Sequence, residues 1–386
     1  MAPVQLFPIG NGPAACNGDD EMIDTIEQTI RERDLLSPAT PVIAMVSGGS
    51  DSTALAYLLS DFHRRGLVGQ PAILHVNHKL RGRDADDDQL FVERLAEKLA
   101  IPFFACEIDI AQLVDATGGN VEVIGRNERY LAAHEALESL CRHEAIPVSE
   151  GRIVTAHTQD DRVENFFMRS ITGAGPGGFR SMLYRNGPVV RPCLDVSRQD
   201  LRDFVLSLPD EEAVADGEGC RWREDATNAH TDRFRAFVRH EIVPKAKERN
   251  PRLLDTLCRT MNLIADEDDY LDSLASQAAH DHLEWIGSFA EGGAPDGCRL
   301  LPEVGRLALP LKRRVVLAVL GTFLGRDARI ESVSIETVLD AFDGQGAPKS
   351  GFVVNIQGDL AVSANKQGVL IEPMAVFRSR RKPHRA

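Results

Sequence analysis

The stretch that limits this chain most is "PVIAMVSGGSDSTALAYLLSDF", residues 41 to 62. It opens with a short apolar run containing β-branched residues, which reads as a buried strand, and from Thr53 its apolar residues recur at helical spacing. Between the two, Gly48 and Gly49 allow backbone conformations and close approaches that a Cβ would forbid. The helix beyond starts with unpartnered N–H groups and the positive end of a dipole. Strand, glycine turn and helix in this order make an anion site.

Further strand-like runs alternate with helical ones as far as about residue 210: "AILHVN", "FFACEIDI", "RIVTA" and "PVVRPCL". That alternation predicts an α/β fold, a doubly wound and mainly parallel sheet with helices on both faces and its ligand site beyond the carboxyl ends of the strands. After about 240 the pattern turns helical, through "LLDTLCRTMNLIADEDDYLDSLASQAAHDHLEW" and "LPLKRRVVLAVLGTFLG". From 351 two or three short strands are expected, turning at Gly358 and near Lys366 to Gly368. We therefore divide the chain into a leading extension and helix (1–39), a catalytic domain (40–240), an α-helical domain (241–346) and a short β-rich segment with a basic tail (347–386).

The 386 residues suit two or three domains at roughly 100 to 200 residues each. Neither a signal peptide nor an apolar run near the ~20 residues of a membrane helix is visible. Seven cysteines, odd in number and without C-x-x-C spacing, read as reduced thiols of a cytoplasmic protein rather than a metal or cluster site. The net charge of −14 opposes long-range attraction to nucleic acid. Base nevertheless gathers locally, between Arg233 and Arg252, in "LKRR" (Arg313, Arg314) and in the final "FRSRRKPHRA".

Three motifs carry chemistry. In "SGGSDS" the hydroxyls of Ser47, Ser50 and Ser52, with the backbone at Gly48 and Gly49, suit a pyrophosphate, and Asp51 could hold Mg²⁺; the competing view is a capped helix start. No lysine follows at nucleotide P-loop spacing. In "TAHTQDDRVEN", His157, Asp160, Asp161 and Glu164 fall at i, i+3, i+4 and i+7, so a helix would stack them on one face, with Val163, Phe166, Phe167 and Ile171 on another. Carboxylates so stacked repel by a few tenths of a kcal/mol per pair, which a cation would relieve. A solvated acidic helix start is the alternative. In "GGNVEVIGRNERY", Asn120 is placed as an N-cap, and Arg126 either pairs with Glu122 or neutralises charge developing on a substrate.

The hexapeptide resembles the signature of the PP-loop ATP pyrophosphatases, the adenine nucleotide alpha hydrolase-like enzymes that cleave ATP between its α and β phosphates. Together with "HVNHKLRG", "GAGPGGFRSM", "VVRPCLDVSRQDLRDF" and "WREDATNAHTDRFRAFVRHEIVP", the three motifs resemble, in order over roughly residues 40 to 250, the tRNA(Ile)-lysidine synthetase family. Departures are Thr158, Asn165 and Ala236, where that family usually has His, Thr and Asn. The resemblance implies a ligase that adenylates the wobble cytidine of the CAU-anticodon isoleucine tRNA and joins free L-lysine to its C2, so that the base pairs with A.

It further implies ATP and Mg²⁺, with Asp51 and Asp160 on the metal, Asp161 and Glu164 on the lysine ammonium, and Asp51, Arg126, His157, Asp160, Asp161 and Glu164 as the catalytic set. Arg81, Arg235, Arg239, Arg313, Arg314, Arg380 and Arg381 are the expected tRNA contacts. Longer family members add a β-rich extension that grips the tRNA, whereas about 36 residues follow the last helical run here. No membrane contact is expected, and a homodimer is left open. The alternatives are a PP-loop tRNA thiolase and a catalytically silent tRNA-binding homologue.

Overall fold

The computed structural model describes residues 18–80, 82–180, 182–224, 234–287, 295–325 and 328–381. The chain divides into two units, Met1–Asn262 and Leu263–Ala386.

Unit 1 is built on α1 (Gly18–Glu32), β1 (Val42–Met45), α2 (Ser50–Arg64), β2 (Pro71–Asn77), α3 (Arg83–Leu99), β3 (Phe103–Glu107), α4 (Ile110–Thr117) and α5 (Val121–Glu144). It continues with β4 (Arg152–Val154), α6 (Gln159–Thr172), β5 (Arg185–Asn186), β6 (Val189–Val190) and α7 (Arg198–Ser207). The strands lie in the order β3-β2-β1-β4-β6-β5, parallel except for the β5 edge. Successive residues of a strand face opposite sides. Val42, Ala44 and Val46 accordingly pack under α1, α2, α3 and α7, while Ile43 and Ile153 pack under α5 with Leu137 and Leu140. The doubly wound, mainly parallel sheet expected from the alternation is present.

From β1 the chain winds outward to β2 and β3, then returns to lay β4 on the other side of β1. The turns after β1 and β4 therefore flank the point where strand order reverses, and crevices open there at the carboxyl ends. Both of the first two motifs occupy these turns.

Unit 1 closes with a helical run: α8 (Phe234–Phe237), a π-helical segment (Val238–Ile242), α9 (Val243–Arg249) and the start of α10 (Leu253–His282). The π segment precedes Pro244, which has no N–H to donate and whose ring crowds the carbonyl four residues back.

In unit 2, after α10, come β7 (Leu283–Ile286), β8 (Gly297–Leu300), α11 (Leu309–Leu324), α12 (Ser332–Leu339), β9 (Val353–Ile356), β10 (Leu360–Asn365), β11 (Gly368–Pro373) and α13 (Met374–Arg381). The five strands form one antiparallel sheet, β7-β8-β11-β10-β9. This corrects the reading of residues 241–346 as all helical: the helical pattern through Trp285 ends at His282, and Leu283 and Trp285 alternate inward against the core of unit 2. Among the described residues no helix is long and apolar enough to cross a membrane.

Candidate active site

The turn after β1 is held largely by its own hydroxyls. Ser52 Oγ accepts from Ser47 N at 3.2 Å, lies 3.2 Å from Ser47 Oγ and donates to Gly49 O at 3.1 Å. Gly48 sits at φ +92°, where a side chain is strained, and its carbonyl accepts from Arg223 N at 2.8 Å and Thr53 Oγ1 at 3.2 Å. No side chain caps α2, whose cap residue is Gly49, and the first ladder bond there runs from Thr53 N to Gly49 O. The N–H groups of Ser50, Asp51 and Ser52 thus have no intrahelical acceptor, as an anion site requires.

The turn after β4 is built the opposite way. Thr158 caps α6 in a reciprocal box, its N–H and Oγ donating to Asp161 Oδ2 at 2.9 and 3.2 Å. Asp161 and Glu164 are buried. Asp161 Oδ1 accepts from Arg235 Nη2 at 2.7 Å and Arg198 Nη2 at 3.3 Å. Glu164 accepts from Arg239 Nε at 2.6 Å, Arg235 Nε at 2.9 Å and Arg198 Nη1 at 3.4 Å. The cations that the stacked carboxylates called for are the chain's own arginines. Arg235 and Arg239, four residues apart on α8 and the π segment, reach inward together.

Burial works to raise the Asp161 carboxyl, yet Arg198, Arg235, His157 and the Thr158 N–H outweigh it and hold it below the usual carboxylate range. For Arg198 burial is likewise outweighed, by Asp161, Asp51 and Glu164, and the guanidinium is held charged. Arg198 also joins the two turns: its Nε donates to Asp51 Oδ2 at 3.0 Å and its backbone N to Asp160 Oδ2 at 2.9 Å. Burial nevertheless pushes the Asp51 carboxyl above its ordinary value, against the pull of Arg198 and Ser50.

His157 precedes the helix instead of sharing its face, since α6 begins only at Gln159. Its Nδ1 lies 2.8 Å from Thr155 Oγ1. Burial lowers its pKa to about 4, with Asp161 opposing and Arg191, Arg235 and Arg126 reinforcing, so the imidazole is neutral at pH 7. Asp160 diverges from the other carboxylates: its Oδ1 takes Lys247 Nζ at 3.0 Å. Val163, Phe166 and Phe167 pack on the apolar cluster formed with α9 and α10, whereas Ile171 is exposed past the end of that contact.

The expected metal pair, Asp51 and Asp160, is engaged by the protein's own donors in this arrangement. Both oxygens of Asp51 and both of Asp160 already accept from donors, and Arg198 bridges the two residues. Among the described residues no group of three or more His, Cys, Asp or Glu could hold a metal ion.

Asn120 caps α5 as expected, accepting from Glu122 N and Val123 N. Arg126 is exposed, its guanidinium 5.5 Å from the Tyr130 ring centroid, and forms no ion pair among the described residues.

The expected tRNA contacts fare differently. Arg313 pairs with Glu336 at 2.7 Å, Arg314 with Asp268 and Asp272, and Arg380 with the buried Glu372. The basic tail begins as helix α13, anchored by buried Met374 and Phe377, so Arg380 is part of the fold of unit 2 and not of a mobile arm. Arg81 and the side chain of Arg381 lie outside the described residues.

The residue that sequence reasoning missed is Arg198. A capping box, Ser197 with Asp200, marks the start of α7 in "DVSRQDL", but nothing in the sequence says that this helix begins against Asp51, Asp161 and Glu164. Burial pushes the Cys193 and Cys298 thiols up to about 12 and Cys258 up to about 11, so these three are not thiolate nucleophiles.

A model of the PP-loop domain family matches residues 20–246. Among curated proteins, the chain is 31% identical over 267 residues to a tRNA(Ile)-lysidine synthase of Geobacter sulfurreducens, covering 68% of this chain and 52% of that one. It is 36% identical over 247 residues to the tRNA(Ile)-lysidine synthase of Thermus thermophilus, covering 64% and 43%. The chain thus spans about half the length of these curated relatives. Among solved structures, the U34-tRNA thiolase NcsA from Methanococcus maripaludis aligns with TM-score 0.47 at 16% identity, over 64% of this chain and 80% of that one.

Proposed function

The chain belongs to the PP-loop family, and from that premise we propose that it is an ATP-dependent tRNA(Ile)-lysidine synthetase. It would join free L-lysine to C2 of the wobble cytidine in the CAU-anticodon isoleucine tRNA. The observation that carries this reading is the pairing of two unlike turns at the strand-order reversal. One offers hydroxyls and unspent N–H groups to a pyrophosphate; the other offers buried carboxylates to an amine.

A ring carbonyl oxygen is a poor leaving group, so cytidine O2 first attacks the α-phosphorus of ATP. The O2–P bond forms, the α–β bridge breaks, and pyrophosphate departs into the turn at Ser47 to Ser52. Arg126, exposed and without a carboxylate partner among the described residues, is available to charge developing on the α-phosphate. The lysine ε-amine arrives as an ammonium, with an ordinary pKa of about 10.4, and must shed a proton to one of the carboxylates that hold it before its nitrogen attacks C2 and expels AMP. Asp161 and Glu164 would hold that ammonium in exchange for one of their guanidiniums, and the released guanidinium could then meet the lysine α-carboxylate. His157, neutral at pH 7, serves as an uncharged hydrogen-bonding group beside them. Mg²⁺ enters this account only as the companion of ATP.

The test is incubation with the CAU-anticodon isoleucine tRNA, ATP, Mg²⁺ and labelled lysine, followed by nucleoside analysis. The expected result is label in one nucleoside, with AMP and pyrophosphate formed in equal amounts. Pyrophosphate release that continues beyond one equivalent per tRNA without lysine, or sulfur appearing in the base, would overturn the proposal.

A further inference from the structure

Arginines crowd the two turns, and their partners sort them. Arg198, Arg235 and Arg239 are committed to Asp161 and Glu164. Arg223 bonds Asp88 at 2.9 Å and Asp216 at 3.0 Å, and Arg162 lies 3.3 Å from Asp195. Arg202 is different. Among the described residues it has no carboxylate partner; its Nε donates to Ser50 Oγ at 3.2 Å, and its guanidinium lies 5.8 Å from the centroid of the Trp222 ring. One of five guanidinium N–H donors is spent in this way, leaving four.

Its position is electrostatically anomalous. Ser50 is the first residue of α2, so a half-buried positive charge stands at the positive end of a helix dipole that no side chain caps. Basic residues belong at the other end of a helix. Such a placement is tolerable when an anion lies between guanidinium and helix end, and a polyphosphate meets both. The register of α7 fixes this: Arg198 and Arg202 are one helical turn apart, so they share a face, one turned to the carboxylates and the other to the start of α2.

We propose that Arg202 binds the terminal phosphates of the nucleotide and keeps hold of the pyrophosphate as it leaves. This rests on the ATP reading of the turn. When the bridge between the α and β phosphates breaks, the bond's electron pair departs with the pyrophosphate. A guanidinium at the Ser50 end meets that charge with paired N–H donors. AMP, which lacks both terminal phosphates, does not reach Arg202.

Calorimetric titration of the full chain with ATP, pyrophosphate and AMP in Mg²⁺ buffer tests this on wild type, Arg202→Gln and Arg202→Lys. Arg202→Gln is expected to weaken ATP and pyrophosphate at least tenfold and to leave AMP within twofold. Arg202→Lys, a point charge without the planar fork, should fall between. Equal losses for all three ligands would make Arg202 a prop for the turn, and pyrophosphate affinity within twofold of wild type would remove it from the site; either overturns the proposal. If Arg202→Gln does not fold, Arg202→Lys must still lose ATP and pyrophosphate selectively over AMP. A wild-type chain that binds neither ATP nor pyrophosphate would instead sink the nucleotide reading itself.

Discussion

The two turns at the strand-order reversal begin with the same task, ending a buried strand and starting a helix, and solve it with opposite materials. After β1 the chain uses glycine and hydroxyls, which bond mostly to one another and leave N–H groups unspent. After β4 it uses carboxylates, buries them and then must neutralise them, recruiting Arg198 from α7, Arg235 from α8 and Arg239 from the π segment. A hydroxyl is satisfied locally and leaves room for a ligand, whereas a buried charge is costly until something of opposite sign is brought to it. The first turn is therefore a receptacle and the second a cross-link, with Arg198 tying them together through Asp51.

The contrast can be broken most directly at Glu164. If the second turn is a cross-link, Glu164→Ala leaves three guanidiniums short of a partner, and the midpoint of urea unfolding should fall by the equivalent of about 3 kcal/mol. Glu164→Gln, which keeps acceptor shape, should cost less stability while lowering lysine use more than adenylation. Little change in either variant would mean that the arginines are held by something else.

His157 sharpens the same point through pH. Its folded pKa of about 4 lies below the ordinary value of 6.5. The unfolded chain therefore binds the extra proton between those two values, and stability is full above pH 6.5 and declines as pH falls towards 4. The decline should be on the order of 2 to 3 kcal/mol from this residue. It is read as the difference between wild type and His157→Asn in urea melts at pH 7 and pH 4.5; superimposable pH profiles would place His157 in an open, solvated setting.

At the receptacle the measured quantity should be function rather than stability. Asp51→Asn removes a charge-assisted bond to Arg198, worth about 1.5 to 3 kcal/mol, and should slow tRNA-dependent pyrophosphate release at least tenfold while tRNA binding persists. Burial already opposes the Asp51 charge, so the neutral amide recovers part of that loss, and with Arg198 still held by Asp161 and Glu164 the unfolding midpoint should move by less than the bond alone implies.

The smallest effect tests the sorting of charges within unit 2. Arg380→Ala strands the buried Glu372 and should cost about 1 to 2 kcal/mol of stability, whereas Arg313→Ala breaks a pair exposed on both sides and should cost less than about 0.5 kcal/mol. If both instead weaken tRNA binding without touching stability, these arginines belong to an RNA surface.

The local structure of the first turn was legible without tertiary contacts. A strand, two glycines and a hydroxyl-rich helix start can be recognised in "VIAMVSGGSDSTALAYLL" because each signal is short range: β-branched apolar residues, freedom at φ, and helical spacing. Asn120 as an N-cap and the three closing strands of unit 2 follow from equally local rules. The strands at Leu283–Ile286 and Gly297–Leu300 were hidden for the converse reason: four residues running on from a long helix carry too little periodicity to declare a change, and the second of them, which pairs with the first, finds its other partner, β11, only some seventy residues on.

Charge partnership was decided only by tertiary structure. The sequence sets which residues are acidic and basic, and even that the acids after β4 need cations, but Glu164 lies 34 residues from Arg198 and 75 from Arg239. Coulomb attraction carries no sequence register; which arginine reaches which carboxylate depends on where α7 and the π segment are packed. The same packing turned Arg380 from a tail cation into the partner of a buried glutamate and left Arg202 facing a helix end with, among the described residues, no carboxylate partner.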